Sequence, residues 1–365
     1  MEKRNMSLNA ERQLQYLWQR GCAFLGTRYA ILGGAMTWVS DSDLVSAISN
    51  AGGFGVLACG SMTPDLLKKE IQKTKEKTRK PFGVNLIVMH PALDKLVDVT
   101  IEEKASHVVL AGGLPSSDML KKLRDHGIKS IGFAPALVIA KRLIKSGVDA
   151  LIIEGSEAGG HIGPTSTSVL AQEILSHITE VPIFIAGGIG RGEAIVSYLQ
   201  MGASGCQLGT RFVCTHECNA HDNFKKAFIK AQARDAQATV QIDPRFPVIP
   251  VRALINKATE EFHAFQREMI AKVDRGDIEL KEAQLQIEHY WAGSLRKAVI
   301  EGDIDHGSLM AGQSVGMVKE IQSVQEVINQ LYEQACVHLL RGGDASYHDQ
   351  MARTHTPLHI NEREF

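Results

Sequence analysis

Eight short apolar runs, most of them closed by Gly, Asn or another small residue, constrain this chain more than any other feature of its sequence. They are Tyr29 to Ala35, Gly55 to Gly60, Phe82 to Val88, His107 to Gly112, Ser130 to Ala136, Ala150 to Gly155, Val181 to Gly188 and Cys206 to Phe212. Segments of helical period alternate with them: Asp41 to Asn50, Pro64 to Lys77, Ser117 to His126, Leu137 to Ser146, Thr167 to His177 and Gly192 to Met201. A strand followed by a helix, repeated eight times over residues 29–212, predicts an α/β fold of the closed parallel (β/α)8 TIM barrel type. The pattern does not count closure, so an open doubly wound sheet is the competing architecture.

After Phe212 the rhythm stops. Residues 216–300 are polar, charged and helix-prone, with one break at Asp243 to Pro250, and read as a helical lobe inserted after the eighth strand. The division expected is an N-terminal extension over 1–25 and the barrel over 26–215. The lobe follows over 216–300, then a return segment and closing helix over 301–341, and a polar tail over 342–365. Within the extension, Gln13 to Gln19 fits a short peripheral helix, for packing or a dimer contact. A chain of 365 residues with 44% apolar content buries a large core and exceeds the usual single-domain size. A net charge of -1 without basic stripes gives no footprint for nucleic acid. There is no signal-type apolar core before Tyr29 and no run of 18 apolar residues, so a cytoplasmic protein with no membrane role is expected. Six cysteines lack metal-ligand spacing apart from the loose pair Cys214 and Cys218, so no metal site is expected.

In such a barrel the chemistry lies at the C-terminal strand ends, with a phosphate commonly bound after strands seven and eight. Those two ends read Ile185-Ala186-Gly187-Gly188 and Gln207-Leu208-Gly209-Thr210, whose backbone N–H groups and hydroxyl form a phosphate cup. The other ends contribute Gly33, Gly34 and Met36, then Asn85, then Ala111 to Gly113, then Glu154 with Gly159-Gly160-His161. Small residues and an amide suit a flat, hydrogen-bonding ring. A Gly-Gly-His taken alone is most often a tight loop; here it stands beside the other strand ends. Glu157 is expected to fix that turn, and His221 to cap or pack at the start of the lobe. Lys225, Lys226, Lys230 and Arg234 recur at helical spacing, which suits either a solvated face or one presented to an acidic carrier protein.

The strings AILGGAMTWVSDSDLVSAISNAGGFGVL, FGVNL, EGSEAGGHIG, IAGGIGRGEA and MGASGCQLGTRF together resemble the superfamily of nitronate monooxygenases and flavin-containing enoyl-acyl carrier protein reductases. HECNAHDNFKKAFIKA, VRALINKATEEF and AGSLRKAVIEGDIDHGSLMAGQSVG are similar to the reductase branch. The resemblance implies non-covalent FMN. Gly33, Gly34, Ala35 and Met36 would lie beneath the ring and Asn85 at its polar edge. Glu154, Gly159 and Gly160 would line the ring and ribityl side, while Ala186, Gly187, Gly188, Gln207, Gly209 and Thr210 would hold the phosphate. His161 would stand at the reactive face as the catalytic residue, either donating a proton or polarising the thioester carbonyl, and Met310, Ala311 and Gly312 would line a substrate pocket. NADH or NADPH would be the electron donor, an enoyl thioester the substrate, acyl carrier protein a partner, and a homodimer the assembly. The same site suits a nitronate monooxygenase using oxygen, and a non-catalytic flavin-binding module is a third reading. The chain departs from the reductase pattern at two strand ends, with Gly33-Gly34-Ala35-Met36 in place of Gln-Gly-Gly-Met and Ala111-Gly112-Gly113-Leu114-Pro115 in place of Gly-Ala-Gly-Asn-Pro.

Overall fold

Apolar strands are what a sheet covered on both faces requires, and each of the eight runs overlaps one. The computed structural model describes residues 2–246 and 250–343. The barrel strands are β1 (Ile31–Gly33), β2 (Val56–Ala58), β3 (Gly83–Ile87), β4 (His107–Ala111), β5 (Lys129–Phe133), β6 (Ala150–Glu154), β8 (Ile183–Ala186) and β9 (Gly205–Leu208). The two-residue β7 (Gly160–His161) falls between them in the chain but belongs to another sheet. All barrel neighbours are parallel, in the order β1-β9-β8-β6-β5-β4-β3-β2. The ring is drawn together where Leu32 bridges Phe54 and the Gly33 N–H donates to the Phe54 carbonyl at 2.9 Å. An open sheet is thereby excluded.

The outer helices are α2 (Ser42–Asn50), α3 (Pro64–Lys77), α4 (Leu93–Glu102), α5 (Ser117–Asp125), α6 (Leu137–Ser146), α7 (Thr167–Leu175) and α8 (Gly192–Gln200). Their starts follow local chemistry. Asp41, Thr63 and Ser116 accept first-turn N–H groups of α2, α3 and α5, with Pro64 at the first position of α3. Gly147, at φ 97°, ends α6.

The N-terminal segment is a 24-residue helix, α1 (Glu2–Leu25), longer than the short peripheral helix expected from the sequence. It closes the bottom of the barrel. A Cβ on Gly21 would lie 2.0 Å from the Ser204 carbonyl oxygen, so α1 backbone touches barrel backbone there. Below, Phe24 meets His107 edge-on at 5.2 Å, and the Phe24 carbonyl contacts His107 Nε2 at 3.1 Å. Burial lowers the pKa of His107 to about 4, so this imidazole is a neutral part of the floor.

Beyond β9 come α9 (Thr210–Val213), α10 (Asp222–Lys230), β10 (Ala236–Ala238), β11 (Val251–Leu254), α11 (Lys257–Arg275), α12 (Leu280–Arg296), β12 (Leu309–Met310) and α13 (Val324–Gly343). The lobe is therefore not purely helical. It holds an antiparallel sheet, β10-β11-β12, and the barrel loop contributes β7 to it by pairing with β11. Helices α11 and α12 enclose a small second core of Phe246, Val251, Phe262, Met269, Ala283 and Ile287. α13 then returns to pack against α8 and α1, stacking Tyr332 beside Trp18 and Tyr29. Part of the break at Asp243 to Pro250, and the tail from residue 344, lie outside the described residues. No helix among the described residues is long and apolar enough to cross a membrane.

One surface expectation is corrected. Lys225 is buried, and its ammonium donates to the Thr215 and Cys218 carbonyls at 2.8 and 2.6 Å. Those carbonyls of the turn before α10 receive its ammonium, so it belongs to no exposed basic face. Lys226, Lys230 and Arg234 are exposed.

Candidate active site

The residues singled out at the strand ends do gather at the C-terminal mouth of the barrel. After β1, Ser40 holds the turn: its hydroxyl donates to the Gly34 carbonyl at 2.9 Å and accepts the Met36 N–H at 3.0 Å. Nothing in the sequence marked Ser40. Gly33 faces outward, where a Cβ would lie 2.5 Å from Ile48 Cδ1. A side chain at this position would have to displace Ile48. Gly34 faces the Gln207 side chain at 3.6 Å, an ordinary contact distance, and Ala35 and Met36 are half-buried beside it. The Met36 Sδ lies 3.3 Å from where a Cβ on Gly209 would be. Across the mouth Asn85 is buried, its side-chain Nδ2 donating to the Val109 carbonyl at 3.0 Å and its backbone carbonyl accepting the Cys59 thiol.

Glu154 ends β6. No described residue donates to its carboxylate, and burial alone raises its pKa to about 8. At neutral pH it is mostly protonated and offers an O–H donor as well as an acceptor. The loop that follows is tied down on both sides. Glu157 Oε2 accepts the N–H and the hydroxyl of Thr167 at 2.8 and 2.9 Å, so it does fix the turn. Gly159 lies against the return segment, its missing Cβ only 2.6 Å from the Gly312 nitrogen. Gly160, at φ 78°, turns the chain into β7, where His161 pairs with Val251 and its side chain is exposed.

The cup is built from left-handed backbone. Gly187 and Gly188 have φ of 94° and 73°, and their N–H groups donate to no described residue. Ala186, buried beneath them, uses its carbonyl for the Gly155 N–H at 3.1 Å. Gln207 is 7% exposed and its amide has no hydrogen-bond partner among the described residues. The Thr210 hydroxyl oxygen accepts the Gly312 N–H at 3.0 Å, which fastens the return segment to the cup. Ala311 and Gly312 are consequently buried backbone supports between Thr210 and Gly159, and Met310 is the member of that trio whose side chain is half-exposed. A cleft of about 270 Å³ adjoins the cup, bordered by Glu157, Gly188, Tyr198, Gln313 and Met317. His221 caps α10, its Nδ1 accepting the Asn223 N–H at 3.1 Å.

FMN fits these residues. Two unused backbone N–H groups on left-handed glycines answer a phosphate, and the buried unpartnered amide of Gln207 with the protonated carboxyl of Glu154 answers a polar ring and ribityl chain.

With that geometry in hand, comparison with known families matches residues 19–96 and 92–334 to nitronate monooxygenase. The chain belongs to the nitronate monooxygenase family. It is an oxidoreductase of this FMN-binding family. Along 88% of the chain it is 35% identical to the solved FabK from Thermotoga maritima, covering 98% of that chain with a TM-score of 0.79. Two curated relatives are each 28% identical. One is the (3aS,4S,5R,7aS)-5-hydroxy-7a-methyl-1-oxo-octahydro-1H-indene-4-carboxyl-CoA dehydrogenase of Mycobacterium tuberculosis, covering 86% of this chain and 95% of its own. The other is the probable nitronate monooxygenase of Bacillus subtilis, covering 80% and 91%. A nitroalkane oxidase from Streptomyces ansochromogenes shares the fold at 23% identity and TM-score 0.73.

Proposed function

We propose that this member of the nitronate monooxygenase family is an NADH- or NADPH-dependent enoyl-thioester reductase, with enoyl-acyl carrier protein as its substrate. The observation that carries the reading is the 35% identity to FabK along nearly the whole chain, lobe included, together with the resemblance of the lobe strings to the reductase branch. A relative named for a carboxyl-CoA supports a thioester as the substrate's handle.

Saturating an enoyl thioester requires a hydride at the β-carbon and a proton at the α-carbon. Bound FMN supplies the hydride chemistry. The chain supplies the rest. Gly187, Gly188, Gly209 and Thr210 would hold the cofactor's phosphate end, the Gln207 amide would meet its ribityl chain, and Gly34 and Asn85 would border the ring. His161, exposed at the mouth on β7, holds the proton delivered to the α-carbon, a role in which imidazole titrates in the working pH range.

Anaerobic stopped-flow absorbance tests this. FMN-loaded protein is mixed with NADH or NADPH and then with a crotonyl or longer enoyl thioester. Bleaching by the nucleotide and recovery of colour with the thioester is the expected course. Flavin that stays oxidised with nucleotide but bleaches with propyl-2-nitronate replaces this reading with nitronate oxidation, which the Bacillus subtilis relative favours.

A further inference from the structure

The lobe does more than stand over the barrel mouth, because the strand that carries His161 is completed by it. β7 has no partner in the barrel; its register is set entirely by β11, with His161 opposite Val251 and Gly160 opposite Arg252. The Ile162 N–H extends this pairing to the Pro250 carbonyl at 2.9 Å. One side chain spans the junction. Arg252 Nε donates to the Ser156 carbonyl at 2.7 Å, in the barrel loop between β6 and β7, and its Nη1 donates to the Ala236 carbonyl at 2.6 Å, in β10 of the lobe. The guanidinium is half-buried, and Glu157, the residue that anchors the same loop to Thr167, supplies the nearby negative charge.

We propose that Arg252 is a positioning residue for His161: by joining the Ser156 and Ala236 carbonyls it locks the β7–β11 pair and so fixes where the imidazole stands at the mouth. The inference rests on the reading of His161 as the proton donor. The physical argument is one of geometry. Guanidinium is a rigid planar fork whose donors point in fixed directions, so a single Arg holds two carbonyls at a set separation. A lysine ammonium is a point donor on a flexible stem, so it can reach a carbonyl but imposes no set separation between two of them. Loss of the fork leaves the Ser156 and Ala236 carbonyls short of a donor and loosens the hold of the lobe on a two-residue strand.

The test uses full-length FMN-loaded protein with Arg252→Met and Arg252→Lys, each alone and combined with His161→Gln. Arg252→Met is expected to keep FMN bound with unchanged spectrum, since it touches none of the cup. Turnover should fall about 10- to 100-fold through kcat, with the alkaline limb of the pH profile displaced, a shift that loss of packing alone does not produce. Arg252→Lys should recover part of it. In the His161→Gln background the further loss should shrink below about threefold, because both changes act on one group. Equal losses in both backgrounds overturn the proposal. Hydrogen exchange supplies the readout that needs no substrate. Peptides across 155–163 and 236–254 should exchange faster in Arg252→Met than in wild type, with those across 205–212 unchanged. Coupled exchange in an enzyme inactive on enoyl thioesters would sink the reductase reading and leave the Arg252 link standing. Unchanged exchange, or an Arg252→Lys variant that exchanges like Arg252→Met throughout the barrel, overturns the link itself.

Discussion

A carboxyl whose titration is pushed to about 8 makes the fold itself sensitive to pH, and Glu154 is such a group. Its folded pKa lies above the ordinary glutamate value near 4.5 used for the free side chain. Between those two values the native state holds a proton that the unfolded chain has released, so stability falls as pH rises through that window and levels off above it. The size is on the order of a few kcal/mol. Glu154→Gln does not titrate, so the FMN-free variant should gain on wild type in urea midpoint from pH 5 to pH 8, with the gap closing below pH 5. Parallel curves would mean that Glu154 is ionised in the fold. The sequence marked Glu154 as a site residue but not its proton, since burial without a donor is a property of the assembled mouth. Lys225 shows the opposite limit. Helical spacing grouped it with Lys226 and Lys230, and only the Thr215 and Cys218 carbonyls of the preceding turn reveal why it is inside.

Among the elements, α1 is the one whose role the sequence understated. Its floor contact depends on a position with no side chain: at Gly21 even a methyl would meet the Ser204 carbonyl at 2.0 Å. Gly21→Ala should therefore cost about 1–3 kcal/mol through overpacking, against the small gain that alanine normally brings within a helix. Thermal denaturation followed by the fluorescence of buried Trp18 measures it, and a variant as stable as wild type would show that α1 can lift away freely. The eight barrel strands were legible because burial on both faces writes apolar runs. β7, β10, β11 and β12 were not, being two to four residues long and paired in a small sheet outside the barrel. α4 was missed as well; its N-cap, Ala92, makes no side-chain cap bond, so the usual start signal is absent.

At the scale of the whole molecule there are two cores of unequal size. The main one runs through the barrel and takes in α1 and α13, whereas the lobe's has six fully buried residues, with Met310 packed against both. Free energy of opening follows buried apolar contact, so the lobe is the less protected unit. In native-state hydrogen exchange, amides of α11 and α12 should exchange through an opening of lower free energy than those of β4, β5 and β6. Equal protection would indicate a single cooperative unit. Because β7 is shared, an opening of the lobe also releases the strand bearing His161, which places the candidate acid at the boundary between the two units.

The Thr210 to Gly312 contact joins residues 102 positions apart. During synthesis the barrel strands, and the glycines of the cup with them, leave the ribosome long before Gly312 does. A nascent chain halted ahead of the return segment thus has its phosphate donors but neither the bond on Thr210 nor the backbone against Gly159. The finished cup is in this way deferred until the return segment has been synthesised.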